Sequence, residues 1–225
     1  MKSFFTILRN LALLLFPFLL LIAINEAVRP NITEKPFQEK GIVAINSAIK
    51  STKKCSWACH NIENYCKENH VKILQNYFMF TDPIYFGVIR FLQSTGKYKV
   101  ANIIILVILI PLLMYFLLIK SLYLQSQIKT VQSLRQQNIL FFVLINNSTN
   151  KFLTNFIAKL YFYCTDFIIN LANILDLSYY EINFFIFCII YPVLLLGLVF
   201  TFCIQKIRLI KIKLYALRQT NHKIH

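Results

Sequence analysis

Residues 101–119 read ANIIILVILIPLLMYFLLI, without one charged side chain, and the run stops at Lys120. Coiled into an α-helix at about 1.5 Å per residue, such a run covers roughly the 30 Å hydrocarbon thickness of a bilayer. Two further runs repeat the constraint: LALLLFPFLLLIAI at 11–24 and FFIFCIIYPVLLLGLVFTFCI at 184–204. The chain is 57% hydrophobic and only 15% charged. Because that apolar content falls in long runs, lipid rather than a soluble core is its natural surrounding. An all-α integral membrane protein is the expected class.

In chain order, Lys2 and Arg9 precede the first run, the outline of a secretory signal peptide. Asn25 and Glu26 occupy the place where small residues would mark cleavage, so 1–25 reads as an uncleaved anchor. Residues 26–99 are polar and contain no span; Pro30, Pro36 and Gly41 mark irregular backbone, and from about residue 44 to 80 the pattern is helical. A span at 100–120 leads to a basic linker at 121–150, with Lys129 and Arg135. A membrane helix is expected at 151–176, a last span at 182–205 and a basic tail at 206–225. The helix at 151–176 carries Lys159 and Asp166, two turns apart on one face. It reads as shallow or tilted, with Lys159 snorkelling to the interface.

Basic residues set the orientation. The net charge is +15, yet nothing after Glu181 is acidic, and Lys206, Arg208, Lys211, Lys213, Arg218 and Lys223 follow the last run. Clusters of this kind beside spans obey the positive-inside rule and attract anionic lipid. They are not read as a nucleic-acid surface. Both termini and the linker are thus expected in the cytoplasm. That requires about four crossings, with the Cys-rich segment outside.

Two stretches share a pattern. An aromatic approach ends in Thr81-Asp82 or Thr165-Asp166. After a spacer come Tyr98, Asn102 and Pro111, or Tyr179, Asn183 and Pro192, spaced four and then nine positions apart in both cases. This suggests two loosely repeated, parallel halves. The tyrosines suit an interfacial aromatic belt. The asparagines would cap or bridge helices, the prolines kink them, and the aspartates cap helices or pair with Lys159 or Arg90. Together Asp82, Tyr98, Asn102, Pro111, Asp166, Tyr179, Asn183 and Pro192 would pack the helices or dock a partner's span.

The densest chemistry lies in CSWACHNIENYCKENH at 55–70, with three of the six cysteines and two of the four histidines. A disulfide among Cys55, Cys59 and Cys66 would staple a domain with little core in an oxidising compartment. On one continuous helix Cys59 and Cys66 would stand about 10 Å apart, so the bond demands a turn, which residues 60–65 could supply. Zinc is the second reading. Cys55/Cys59 and Cys66/His70 are i,i+4 pairs, and a helical hairpin would gather them into a Cys3His set. The third is haem on Cys55-Ser-Trp-Ala-Cys59-His60, one residue longer than the usual attachment motif. A thiolate nucleophile beside His60, with Arg90 downstream, is the fourth. No cofactor is the leading expectation. Cys164, Cys188 and Cys203 lie in apolar runs and read as packing residues.

Residues 55–69 with Thr81-Asp82-Pro83-Ile84-Tyr85, and Leu177-Ser-Tyr-Tyr-Glu-Ile-Asn183 with Pro192, resemble small uncharacterised membrane proteins of the Bacteroidetes type. Some of those accompany exosortase-like sorting enzymes. The resemblance implies a non-enzymatic accessory or scaffold protein in envelope protein sorting or export, whose partners are lipid and another membrane protein. No catalytic residue carries over. The alternatives are a membrane-tethered redox or metal protein using Cys55, Cys59, His60, Cys66 and His70, or a small subunit of a larger membrane complex.

Overall fold

A computed structural model describes residues 2–133 and 151–221, with side chains described within 4–128 and 155–214. Most of the basic linker, residues 134–150 with Arg135, lies outside the described residues. In chain order the helices are α1 (Lys2–Val28), α2 (Trp57–Asn61), α3 (Tyr65–Asn69), α4 (Phe78–Gln93), α5 (Tyr98–Ala101), α6 (Ile110–Ser133), α7 (Lys151–Ile174), α8 (Tyr179–Asn183) and α9 (Tyr191–Asn221). A π-helical segment, Asn102–Leu109, joins α5 to α6, and another, Phe184–Ile190, joins α8 to α9.

Among the described residues, three helical stretches are long and apolar enough to cross a membrane: Phe4–Asn31, Tyr98–Ile128 and Tyr179–Leu214. Four were expected. The helix α7 is not among the three, and its charges explain why. Lys159 is exposed, whereas Asp166 is buried at 1% exposure against polar backbone rather than lipid. The last two stretches begin at Tyr98 and Tyr179, a turn or less before the expected starts at 100 and 182.

Contacts divide the chain into two units, Met1–Ile110 with Thr149–Pro192, and Pro111–Ser148 with Val193–His225. In the second unit, Ser121 donates from Oγ to Gln205 Oε1 at 2.8 Å, joining α6 to α9. Apolar side chains such as Leu113, Phe116, Leu196 and Phe200 are exposed there, as lipid-facing helices require.

The first unit is organised around α7. Its core stacks Trp57 on Phe37 and on Phe162, ring centroids 4.7 Å apart in both pairs. Asn25 of α1 is wholly buried. It donates to the Tyr163 carbonyl at 2.9 Å and accepts from Asn170 Nδ2 at 3.0 Å, which ties the first helix to α7. The helical pattern expected from residue 44 to 80 is broken. The backbone from 44 to 56 is irregular, because two of its amides are taken by a carboxylate of α7 rather than by a helical turn. Just before it stands a small antiparallel hairpin, β1 (Gln38–Glu39) and β2 (Ile42–Val43). Its turn places Lys40 at φ 50° and Gly41 at φ 78°, the pair of positive values a two-residue hairpin demands.

The two Tyr–Asn–Pro stretches adopt the same local form. Each runs from a short α-helix into a π segment that ends just before its proline. The Ile110 amide bonds back five residues to Ile105, and the Tyr191 amide to Ile186. Widening the turn makes room for a ring that would otherwise collide with the preceding carbonyl, where a removed amide leaves one acceptor spare. Surroundings differ. Residues 179–183 are all buried, so Tyr179 and Tyr180 are core residues rather than members of an interfacial belt, whereas Tyr98 and Asn102 are half-buried.

Along α4, Tyr77, Phe80, Ile84 and Phe91 leave an exposed apolar stripe at helical spacing. The opposite face sets Leu92 against Ala101 and Leu106.

Candidate metal centre

Two buried carboxylates set up the site. Asp166 accepts from the Ile45 amide at 2.7 Å, from the Asn46 amide and side chain at 3.0 Å each, and from Trp57 Nε1 at 2.9 Å. Neither Lys159 nor Arg90 is its partner. The aspartate is neither helix cap nor ion pair; it stands in for the secondary structure that residues 45–57 lack. Asp82 behaves differently, pairing with Lys67 and accepting from Tyr180 Oη at 2.7 Å.

Glu181 is the second carboxylate, and it went unremarked in the sequence. The signal was there: Ser178-x-x-Glu181 is a capping box, and the structure forms it, with Ser178 N and Oγ at 2.8 and 2.7 Å from Oε2. The other oxygen, Oε1, accepts from three consecutive amides, Lys72, Ile73 and Leu74. A single side chain thus caps α8 and moors the segment that follows α3.

These moorings bring the cysteines together. Ser56 caps α2, its side chain accepting from the Ala58 amide. Asn64 sits in the left-handed region at φ 59°, a conformation asparagine tolerates, and there the chain doubles back into α3. Cys59 on α2 and Cys66 on α3 therefore face one point with Cys55, which immediately precedes Ser56. Their exposures are 3% for Cys55, 7% for Cys59 and 5% for Cys66. The ligating atoms of Cys55, Cys59 and His70 lie within 4.8 Å of one another, and the Cys66 sulfur accepts from the Tyr180 amide at 3.4 Å, next to the Tyr179 amide that reaches Cys55.

All six cysteines are free thiols, in place of the expected disulfide. Hydrogen bonds from the Cys59 and Cys66 thiols hold Cys55 well below the ordinary thiol range, and burial opposes them. Cys59 and Cys66 are pushed up, each first by its contact with Cys55. Backbone amides of α8 add to the pattern, Tyr179 N to Cys55 Sγ at 3.3 Å and Tyr180 N to Cys66 Sγ at 3.4 Å. The Cys55 backbone is itself pinned from both sides by the Asn173 side chain, at 2.7 and 3.0 Å.

The structure does not place His60 with the thiols. Its Nδ1 meets Tyr179 Oη at 2.9 Å and its Nε2 meets Tyr161 Oη at 2.8 Å. Burial pushes it down to about 4, so it is neutral at ordinary pH, with one ring nitrogen donating and the other accepting. With both nitrogens spent on tyrosines, His60 fits neither the axial ligand of an attached haem nor the base of a thiolate nucleophile. Cys164 and Cys188 are half-buried packing residues as expected, while Cys203 is exposed. The structure places Tyr98, Asn102, Tyr179 and Asn183 inside the first unit, where Asn183 bonds the Tyr179 carbonyl at 2.7 Å and Asn102 reaches Tyr98 Oη at 3.5 Å.

The chain matches no known family, no curated protein and no solved structure.

Proposed function

We propose that the chain is a non-enzymatic, multi-pass membrane scaffold, an accessory partner in envelope protein sorting or export. The observation that carries this is the use made of its polar groups. Asp166, Glu181 and His60, the side chains best suited to acid–base work, are all committed to holding segments of the first unit together. Groups so satisfied build shape rather than reactivity. In the proposed topology both termini and the 121–150 linker are cytoplasmic, and the Cys-rich segment is outside. The helix α7 makes the fourth crossing, sheltered by α1 through Asn25. The exposed stripe on α4 then lies at the outer interface, free for lipid or a partner's span.

The test places a photo-crosslinking residue at Phe80 or Ile84 in the full chain and irradiates native membranes. The reading expects a cross-link to an integral membrane component of a sorting or export system, retained at fixed ratio on purification in mild detergent. Cross-links to respiratory-complex subunits, or to lipid alone, overturn it. A metal-protein reading is favoured by a separate observation, the convergence of Cys55, Cys59, Cys66 and His70, and it is compatible with a scaffold.

A further inference from the structure

We propose that Cys55, Cys59, Cys66 and His70 bind one zinc ion in a closed, tetrahedral site that is structural rather than catalytic. Three observations converge. The ligating atoms of Cys55, Cys59 and His70 already lie within 4.8 Å of one another, and Cys66, buried at 5% exposure, faces the same end of α8, its sulfur accepting from the Tyr180 amide at 3.4 Å beside the Tyr179 amide that reaches Cys55 at 3.3 Å. In a tetrahedral zinc site with bonds of about 2.3 Å to sulfur and 2.0 Å to nitrogen, neighbouring ligand atoms stand under about 4 Å apart, so little rearrangement separates this cluster from that geometry. The second observation is His70 itself. It is 8% exposed, yet its Nε2 finds no hydrogen-bond partner among the described residues. A buried imidazole nitrogen left so is costly, and a bond to a metal is one way to satisfy it.

The third concerns what surrounds the sulfurs. Amides of Tyr179 and Tyr180 point at Cys55 and Cys66, and N–H groups so placed stabilise thiolates and orient them as ligands. Three thiolates and one neutral imidazole around Zn2+ leave one net negative charge. Lys53, Lys54 and Lys72 line a cleft of about 110 Å³ that also reaches Cys55 and His70. The cleft offers a route for the ion; Lys54 there pairs with Glu34 and Lys72 with Asp176, and Lys53 adds a further positive charge toward the site's one negative charge. A set of three sulfurs and one nitrogen selects zinc over hard cations. Four protein ligands leave no open position for substrate, which is why the site is structural. As three Zn–S bonds and one Zn–N bond form, the thiol protons pass to solvent and nothing is oxidised or reduced.

The consequence is mechanical. Each helix of the α2–α3 hairpin is five residues long, below the length at which isolated helices hold together in water. Zinc would cross-link both helices to one another, and through the Tyr179 and Tyr180 amides to the start of the last span.

The test uses the full chain, purified in detergent without chelator and then titrated with zinc alone. Metal content is measured by mass spectrometry and intact mass without reductant. One zinc per chain and a mass showing six free thiols are expected. Cobalt substitution should give the intense visible bands of a tetrahedral thiolate site. Cys59→Ser and His70→Ala should lose the metal, while Cys164→Ser and Cys203→Ser should keep it. His70→Cys guards against simple misfolding: it supplies a fourth sulfur, so it should retain zinc and shift the cobalt spectrum. Zinc content no higher than in Cys59→Ser, or a mass two hydrogens lighter with Cys55, Cys59 or Cys66 cross-linked, overturns the proposal.

Discussion

Residues 98–111 and 179–192 share tyrosine, asparagine and proline at matched positions, and share a backbone of short α-helix, π turn and proline. They differ in how they begin. The second starts from a capping box, Ser178 with Glu181. In the first, the corresponding residues are Lys97 and Val100, and Lys97 makes no side-chain cap. Accordingly residues 179–183 are buried against the cysteines and moor the 72–74 amides, while Tyr98 and Asn102 remain half-buried. The comparison teaches that the proline and the π turn serve the span. The docking of the Cys-rich segment is carried by side chains that only the second stretch owns.

The largest expected effect comes from the pair at the capping position. Glu181→Ala strands five donors, three of them buried, and should destabilise the protein by about 3–5 kcal/mol, whereas Val100→Ala removes only partly buried methyl groups, about 1 kcal/mol. Denaturant or thermal unfolding in detergent measures both; equal losses would break the comparison. Next are the two Thr-Asp aspartates. Asp166→Asn turns an amide donor toward four existing donors and should cost about 2–4 kcal/mol, against about 1 or less for the partly exposed Asp82→Asn. A loss at Asp82 as large as that at Asp166 would mean that the two positions do the same work. The smallest effect is at the tyrosines. Tyr179→Phe leaves one nitrogen of His60 without its partner, about 1–2 kcal/mol, while Tyr98→Phe gives up a bond to Asn102 that is already long and should cost no more than about 0.5 kcal/mol.

Much of the membrane part was legible in the sequence, because an apolar run of spanning length has few other uses. The three long helices begin within a few residues of where the runs put them. What misled was charge read by position. Lys159 and Asp166, two turns apart on one face, suggested a snorkelling lysine and an aspartate that caps a helix or pairs with Lys159 or Arg90; the structure leaves the lysine exposed but surrounds the aspartate with donors from 45, 46 and 57, more than a hundred residues away. No local pattern announces such a contact. Ser178-x-x-Glu181 did have a local signature, but a capping box says nothing of the three distant amides gathered by its second oxygen. The Cys and His spacing was read to better effect. A hairpin that gathers Cys55, Cys59, Cys66 and His70 is what i,i+4 pairs on either side of a turn can make, and Asn64 in the left-handed region supplies that turn. His60 was grouped with them because it adjoins Cys59, yet the next residue on a helix points about 100° away, and it meets the tyrosines instead.

The central claim is that one buried carboxylate, Glu181, fastens the segment at 72–74 to the head of the last apolar helix. Hydrogen exchange at the Lys72, Ile73 and Leu74 amides tests it directly, in the full chain reconstituted in lipid nanodiscs. These amides lie outside any regular helix, so without the carboxylate they should exchange almost as fast as in a free peptide. The account predicts strong protection in the native protein, falling by roughly tenfold or more in Glu181→Gln while α9 stays protected. Fast exchange at these three amides in the native protein would contradict it.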